Sequence, residues 1–181
     1  MPDKCPFCQL LENPKQTLNI YETENFKAFL DINPRARGHT MIVPKEHHEN
    51  LEDIPPGAMG EIPEMIQAVI NKAKKGLGAD GASVVINSGD IAGQRIPHIY
   101  IQVFPRFEDD ENAETPAGAI FQPLDLDQQE LKEINKKMNQ VDFQIKGSGP
   151  SRKDKINTKD QEEGESSGEW VQDSKRGAEF Q

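Results

Sequence analysis

The sequence contains little cysteine, few aromatic residues and no long apolar segment. Of 181 residues, 2 are cysteines, and Phe, Trp and Tyr together make up 6%. No apolar run approaches the roughly 20 residues that a membrane-spanning helix needs. The first residues, MPDKCPFCQ, lack the apolar stretch of a secretion signal. We therefore expect no membrane partner and a cytoplasmic location.

The chain is acidic, with a formal net charge of −10. Nearly all of this excess falls within residues 1–145, because acidic and basic residues almost balance in 146–181. A surface of that sign argues against nucleic acid as a partner, since the phosphate backbone is read by basic side chains. It does not exclude a small local site for an anion.

Residues 146–181 are rich in charge, Gly and Ser and contain few large apolar residues. Such a segment cannot bury enough surface to offset the entropy lost on ordering, so we predict a disordered, charged tail. The rest divides into a domain over residues 1–110 and a segment over 111–145. In that segment we predict a loop, then a helix over 127–139 that packs on the domain.

Apolar residues recur at helical spacing from Ile62 to Leu77, which predicts one long amphipathic helix. Shorter segments predict strands at 20–22, 26–31, 39–43, 82–86 and 98–104. Strands, one crossing helix and further strands in this order indicate an α+β fold with an antiparallel sheet.

The segment from Asn87 to Arg106 carries most of the chemical information. His98, Tyr100 and Gln102 alternate with Ile99, Ile101 and Val103, which predicts a strand with one apolar and one polar face. A glycine-rich turn with Gln94 and Arg95 precedes this strand. Backbone N–H groups and donor side chains in such a turn suit an anion such as phosphate.

Cys5 and Cys8 are separated by two residues, a spacing that supplies two thiolates to one ion. In a cytosolic chain this favours metal or redox chemistry over a structural disulfide. No βαβ pattern surrounds the pair, which disfavours a thioredoxin-like role. Tetrahedral zinc would need two further ligands from the four histidines of the chain, His39, His47, His48 and His98.

The pattern Gly93-Gln94-x-x-x-His98-x-Tyr100-x-Gln102-x-x-Pro105-Arg106 resembles the signature of the histidine triad (HIT) nucleotide-binding proteins. In that family the row reads His-φ-His-φ-His-φ-φ, where φ is apolar, and Gly-Gln usually precedes it. The resemblance extends from about Cys5 to Arg106. It implies a HIT-like antiparallel sheet with one long crossing helix and a homodimer.

The resemblance also implies binding residues. HIT-like proteins that begin with such a cysteine pair complete a structural zinc site with the histidine of Pro-Lys-x-His and the first triad histidine. Nucleotide binding falls to the segment FLDINP, where Asp31 corresponds to the residue that binds the ribose hydroxyls, and to two later side chains. Carried onto this chain, the metal ligands are Cys5, Cys8, His47 and His98, and the nucleotide-binding residues are Leu30, Asp31, Ile32, Asn87 and Gln94.

The catalytic positions of the family correspond to His98, Tyr100 and Gln102. In HIT enzymes the middle histidine attacks the α-phosphorus. A phenol has a pKa of about 10 and is a poor nucleophile at pH 7. We expect a purine-nucleotide-binding protein of nucleotidyl hydrolase or transferase ancestry, whose ligand is a nucleoside monophosphate or nucleotide conjugate and whose histidine-based catalysis is impaired.

Two alternatives stay open. One is an active hydrolase of nucleotide phosphoramidates or dinucleoside polyphosphates. The other is an interaction protein whose nucleotide site is vestigial.

Overall fold

The computed structural model describes residues 5–110 and 124–143. In this part of the chain one antiparallel sheet has the strand order β1-β2-β3-β5-β4. Its strands are β1 (Asn19–Glu22), β2 (Phe26–Leu30), β3 (Thr40–Pro44), β4 (Gly81–Ile86) and β5 (Ile101–Arg106). The helices are α1 (Pro6–Glu12), α2 (Pro56–Met59), α3 (Ile62–Leu77) and α4 (Gln128–Asn139). The predicted α+β class is confirmed.

The main core lies between the sheet and α3. This helix spans the predicted residues and ends at Gly78, whose φ of +77° is a left-handed conformation that glycine adopts without steric cost. Its apolar side packs against side chains from every strand. The buried residues of this core include Ile20, Ala28, Leu30, Ile42, Met65, Val69, Ile99, Ile101 and Val103.

Helix α1 packs on the opposite side of the sheet, which we call the α1 face. A smaller apolar cluster there contains Cys5, Phe7, Cys8, Phe29, Met41, Val43 and Tyr100. The Cα partners Phe29–Met41 and Met41–Gln102 show that Gln102 projects from this face too. The α1 face therefore carries the polar side of the row identified in the sequence.

Helix α4 begins after Asp127, whose side chain accepts from the Glu130 N–H in a reciprocal capping box. It packs closely on α3, and the approach is so close that a Cβ on Gly76 would collide with the backbone of Lys137. Asn135 and Asn139 each donate to the Asn19 carbonyl at 2.8 Å, which joins α4 to β1. None of the helices in residues 5–110 and 124–143 is long and apolar enough to cross a membrane.

Strand β5 begins at Ile101, three residues later than predicted. The His98 N–H donates to the Ile96 carbonyl at 2.8 Å, and the Ile99 N–H donates to the His48 carbonyl at 2.7 Å. Residues 98–100 are thus held by a neighbouring loop instead of the sheet ladder. The predicted disordered tail, and residues 111–123 of the predicted loop, lie outside the described residues.

Candidate functional site

The row of alternating residues, from His98 to Val103, has the apolar face and the polar face that the sequence predicts. Ile99, Ile101 and Val103 enter the main core, whereas Tyr100 joins the cluster on the α1 face. His98 is fully buried and Tyr100 is 7% exposed. The polar side of the row is therefore covered by α1 at its first two positions, and only Gln102 is half-buried.

Two thiols and two imidazoles meet beneath α1. Cys5 occupies the N-cap position of this helix and Cys8 lies one turn later, so both thiols lie at one end of it. The ligand atoms of Cys5, Cys8, His47 and His98 all lie within 4.8 Å of one another. Three of the four side chains are buried, and His47 is half-buried.

Three nitrogen–sulfur distances within this cluster can be compared with those around a tetrahedral zinc ion. His98 Nδ1 lies 3.4 Å from Cys5 Sγ and 3.7 Å from Cys8 Sγ, and His47 Nδ1 lies 3.4 Å from Cys8 Sγ. Zinc with bonds of about 2.0 Å to nitrogen and 2.3 Å to sulfur sets the N–S edge of the tetrahedron at about 3.5 Å. These three N–S distances are therefore close to that edge length, and the four side chains could hold a metal ion.

The protonation of His98 is fixed by its surroundings. Its Nε2 lies 3.0 Å from the Pro44 carbonyl, an acceptor, so Nε2 carries the proton and donates it. The lone pair of Nδ1 then faces the thiols. Burial, reinforced by His47 and His48, lowers the pKa of His98 to about 4 despite the Pro44 contact, so this ring is neutral at pH 7.

The Cys8 thiol has the opposite shift. Burial, together with the neighbouring Cys5, raises the pKa of Cys8 to about 11. The Cys8 thiol beside the neutral imidazole of His98 therefore stays protonated until a cation displaces the proton, which is the usual chemistry of a metal site.

Phe7 of α1 covers the row. Its ring centroid lies 5.3 Å from that of Tyr100, 5.7 Å from that of His98 and 6.3 Å from that of Phe29, all with edge-to-face geometry. Burial of such a phenylalanine contributes roughly 2–3 kcal/mol. The aromatic ring of Tyr100 is therefore a packing element of the α1 face.

Asp31 and His39 form a second polar group farther along the α1 face. His39 Nδ1 lies 3.3 Å from Asp31 Oδ2, and Asp31 Oδ1 accepts from the Asn33 N–H at 2.9 Å. Burial raises the pKa of Asp31 to about 6, although Asn33 and Arg35 lower it. Burial, with Arg35, lowers the pKa of His39 to about 3. The Asp31 side chain keeps 23% of its surface exposed, so a ligand can reach it.

His39 is 1% exposed and stacks on Phe104 with ring centroids 4.2 Å apart. Its Nε2 has no hydrogen-bond partner among the described residues, and Gln102 lies close enough to raise its pKa slightly. The sequence interpretation gave His39 no specific role. Strand parity was a usable signal, because His39, Met41 and Val43 alternate onto one face.

The other residues assigned to nucleotide binding occupy different environments. Leu30 is 2% exposed within the main core, on the side opposite Asp31. Ile32 and Asn87 are half-buried in the loops after β2 and β4. Gln94 is 6% exposed, and its carboxamide is hydrogen-bonded to three backbone groups.

The turn before the row is closed by its own hydrogen bonds. The N–H groups of Ala92 and Gln94 donate to the Gly89 carbonyl, and the Gly93 N–H donates to the Asp90 carbonyl. Gly93 has a φ of +90°, which glycine tolerates and most residues do not. These three N–H groups are therefore engaged within the turn, whereas Arg95 is exposed beside it.

Comparison with known proteins finds a matching family model and related proteins. The HIT domain family model matches residues 12–109. A HIT-like protein of Methanocaldococcus jannaschii is 37% identical over 130 residues, which cover 72% of this chain and 98% of that protein. The adenosine 5'-monophosphoramidase of Saccharomyces cerevisiae is 31% identical over 123 residues, which cover 68% of this chain and 74% of that enzyme.

A solved structure shares the fold. The crystal structure of a zinc-bound histidine triad family protein from Mycobacterium smegmatis matches with a TM-score of 0.63 and 32% identity, covering 76% of this chain and 94% of that one. The family model covers more than half of the chain and includes the whole altered row. The chain therefore belongs to the histidine triad family of nucleotide-binding hydrolases and transferases.

Proposed function

We propose that this protein binds a purine nucleoside monophosphate or nucleotide conjugate on the α1 face, holds one structural zinc ion, and has impaired histidine-based catalysis. The observation that carries the proposal is the environment of His98. Its Nδ1 faces the thiols and its Nε2 donates to Pro44, so neither ring nitrogen is free for a phosphate. The other two positions of the row are Tyr100 and Gln102, which offer no imidazole.

The zinc ion would be held by Cys5, Cys8, His47 and His98. Four protein ligands leave no open coordination position, which is typical of structural zinc and not of catalytic zinc. When bound, it would join α1 to the loop after β3 and to the segment before β5. The zinc-bound relative from Mycobacterium smegmatis supports this choice of metal.

The nucleotide would be recognised through Asp31. Its exposed carboxylate edge can accept hydrogen bonds from two ribose hydroxyls, and Ile32 would contact the base. Calorimetry with AMP and 2'-deoxy-AMP tests this. Asp31→Ala should weaken the binding of AMP by roughly tenfold or more, because a lost hydrogen bond to a charged group costs about 1.5–3 kcal/mol. The binding of the deoxy analogue should weaken much less.

Equal weakening of both nucleotides in Asp31→Ala would show that Asp31 supports the fold and not the ribose. Absence of any nucleotide binding by the wild-type chain would favour the interaction protein instead.

A second candidate function is supported by the yeast adenosine 5'-monophosphoramidase. In this alternative Tyr100 is the nucleophile of an active phosphoramidate hydrolase. Turnover of an adenosine phosphoramidate at ordinary enzyme rates by the wild-type chain, together with an inactive Tyr100→Phe, would establish it.

We also propose a two-fold homodimer formed through β4. This strand lies at the edge of the sheet, and its Val84 and Ile86 are 38% and 37% exposed. Pairing two such edges would cover them and extend the hydrogen-bonded sheet. A cytoplasmic location remains a prediction from the sequence.

A further inference from the structure

The carboxamide of Gln94 uses three of its hydrogen-bonding positions on the backbone. Its Oε1 accepts from the Gly89 N–H at 2.7 Å. Its Nε2 donates to the Glu49 carbonyl at 2.7 Å and to the Ile96 carbonyl at 2.8 Å. With the side chain buried and both amide hydrogens engaged, little of it is left to contact a ligand.

The two carbonyls belong to the segments that carry His47 and His98. These two residues form the thiol–imidazole cluster together with Cys5 and Cys8. Glu49 follows His47 by two residues, and Ile96 precedes His98 by two residues. One further bond joins the same segments, from the Ile99 N–H to the His48 carbonyl at 2.7 Å. The result is an orthogonal pair of rings, His47 and His98, with centroids 4.9 Å apart and planes at 84°.

We propose that Gln94 is a positioning residue of the metal centre, which aligns His47 with His98 by tying their segments together through one NH₂ group. The role rests on the proposed zinc site. It differs from the direct nucleotide contact expected of Gln94 from the sequence. A tetrahedral ion demands this alignment, because ligand groups must be held to within about 0.5 Å. Partners outside the ligands that orient histidines commonly change metal affinity by about 10–100-fold.

The sharpest variant is Gln94→Glu in the full chain. A glutamate keeps the shape and the acceptor for Gly89, but it cannot donate to Glu49 and Ile96 and sets a negative charge against their carbonyls. Gln94→Met removes the two N–H donors without adding charge. It is the second test variant, to be used if Gln94→Glu does not fold. The matched control is Gln67→Glu, an exposed position on α3.

Cobalt(II) is the probe, because its visible spectrum reports tetrahedral thiolate and imidazole ligation. We expect Gln94→Glu and Gln94→Met to bind cobalt roughly tenfold or more weakly in competition with a chelator, with altered d–d bands. Gln67→Glu should behave as wild type. AMP affinity, measured on the cobalt-loaded proteins, should change less than metal affinity.

Wild-type affinity and spectrum in both Gln94 variants would overturn the positioning role. Loss of AMP binding with an unchanged cobalt site would instead assign Gln94 to the nucleotide. A wild-type chain that binds neither cobalt nor zinc would overturn the zinc proposal itself, and this role with it.

Discussion

The rings of Phe7 and Tyr100 pack edge to face, with centroids 5.3 Å apart and planes at 64°. Position 100 is where HIT enzymes carry their nucleophile, and in this chain the side chain at that position is packed under α1, whose N-terminal end carries both thiols. Whatever chemistry position 100 supports depends on where α1 lies.

We predict that Tyr100→His gains hydrolysis of an adenosine phosphoramidate. Both side chains project onto the α1 face, and imidazole is smaller than phenol, so the stability cost should be roughly 1 kcal/mol. Turnover should rise at least about tenfold over wild type, since a neutral imidazole is a far better nucleophile than a phenol at pH 7. Labelled AMP on histidine should be detected transiently, and Tyr100→His with Gln102→His should do at least as well.

If neither variant gains hydrolysis while nucleotide binding is intact, the site differs from that of HIT enzymes at residues other than His98, Tyr100 and Gln102. The cover by Phe7 is then the first feature to examine, with Phe7→Leu in the Tyr100→His background as the comparison.

Metal removal should loosen α1 more than α3. The proposed zinc ion would join the N-terminal end of α1 to His47 and His98, whereas α3 is fixed by the main core. Zinc at 1,000 times its dissociation constant stabilises a fold by about 4 kcal/mol, and chelation should remove that amount. Hydrogen exchange should rise in residues 6–12 before it rises in residues 62–77.

The matched variant for this experiment is Cys5→Ser. It should bind no stoichiometric zinc and should show the fast exchange of α1 without chelator. Purified wild-type protein without zinc, combined with unchanged stability of Cys5→Ser, would contradict the prediction.

The Asp31–His39 pair should have compensating pH effects. The folded-state pKa of Asp31 is raised to about 6 by burial, so its stabilising effect is present below pH 3.8 and lost as the pH rises through 6. The folded-state pKa of His39 is lowered to about 3 by burial, so its effect is present above pH 6.5 and lost on acidification. Between pH 4 and 6 these two dependences oppose each other.

We therefore expect Asp31→Asn to lose stability more steeply than wild type as the pH falls from about 6.5 to 4. The slope contributed by one proton is at most about 1.4 kcal/mol per pH unit. Urea unfolding at several pH values measures it, with the exposed Asp109→Asn as control. Parallel profiles for Asp31→Asn and wild type would show that folding does not raise the pKa of Asp31.

A charge on the edge strand should separate the proposed dimer. Val84→Lys places an ammonium group on the exposed side of β4, where pairing with a second copy would bury it. The dimer dissociation constant should rise by roughly tenfold or more, measured by light scattering across a dilution series. Leu124→Lys, at a residue 42% exposed outside the sheet, should not change it. A monomeric wild-type chain at micromolar concentration would remove the basis of this prediction.

Local periodicity was enough to predict the elements of the fold. The apolar repeat from Ile62 to Leu77 gave the bounds of α3. The second predicted helix began at Asp127, and in the structure Asp127 is the residue that caps α4. The start of β5 could not be predicted, because it depends on a hydrogen bond between Ile99 and His48, residues that the sequence keeps far apart.

The candidate site was predictable in its residue types and less so in its contacts. The thiol pair and its two histidines meet as the resemblance implied. Leu30 differs, since alternation along β2 sends it into the main core while Asp31 lies beside His39 on the α1 face. The bonds of Gln94 and the shifted pKa values of Asp31 and His39 arise from burial by distant segments, which no local pattern records.

The thiol of Cys5 and the imidazole of His98 are separated by 93 positions along the chain. Closing so long a loop has a large entropic cost, which is recovered only after the intervening sheet has formed. We therefore expect the thiol–imidazole cluster to assemble late in folding, and zinc capture to mark completion of the sheet. Refolding followed by cobalt absorbance should show a lag relative to the α3 helical signal, and simultaneous appearance of both would place the cluster earlier.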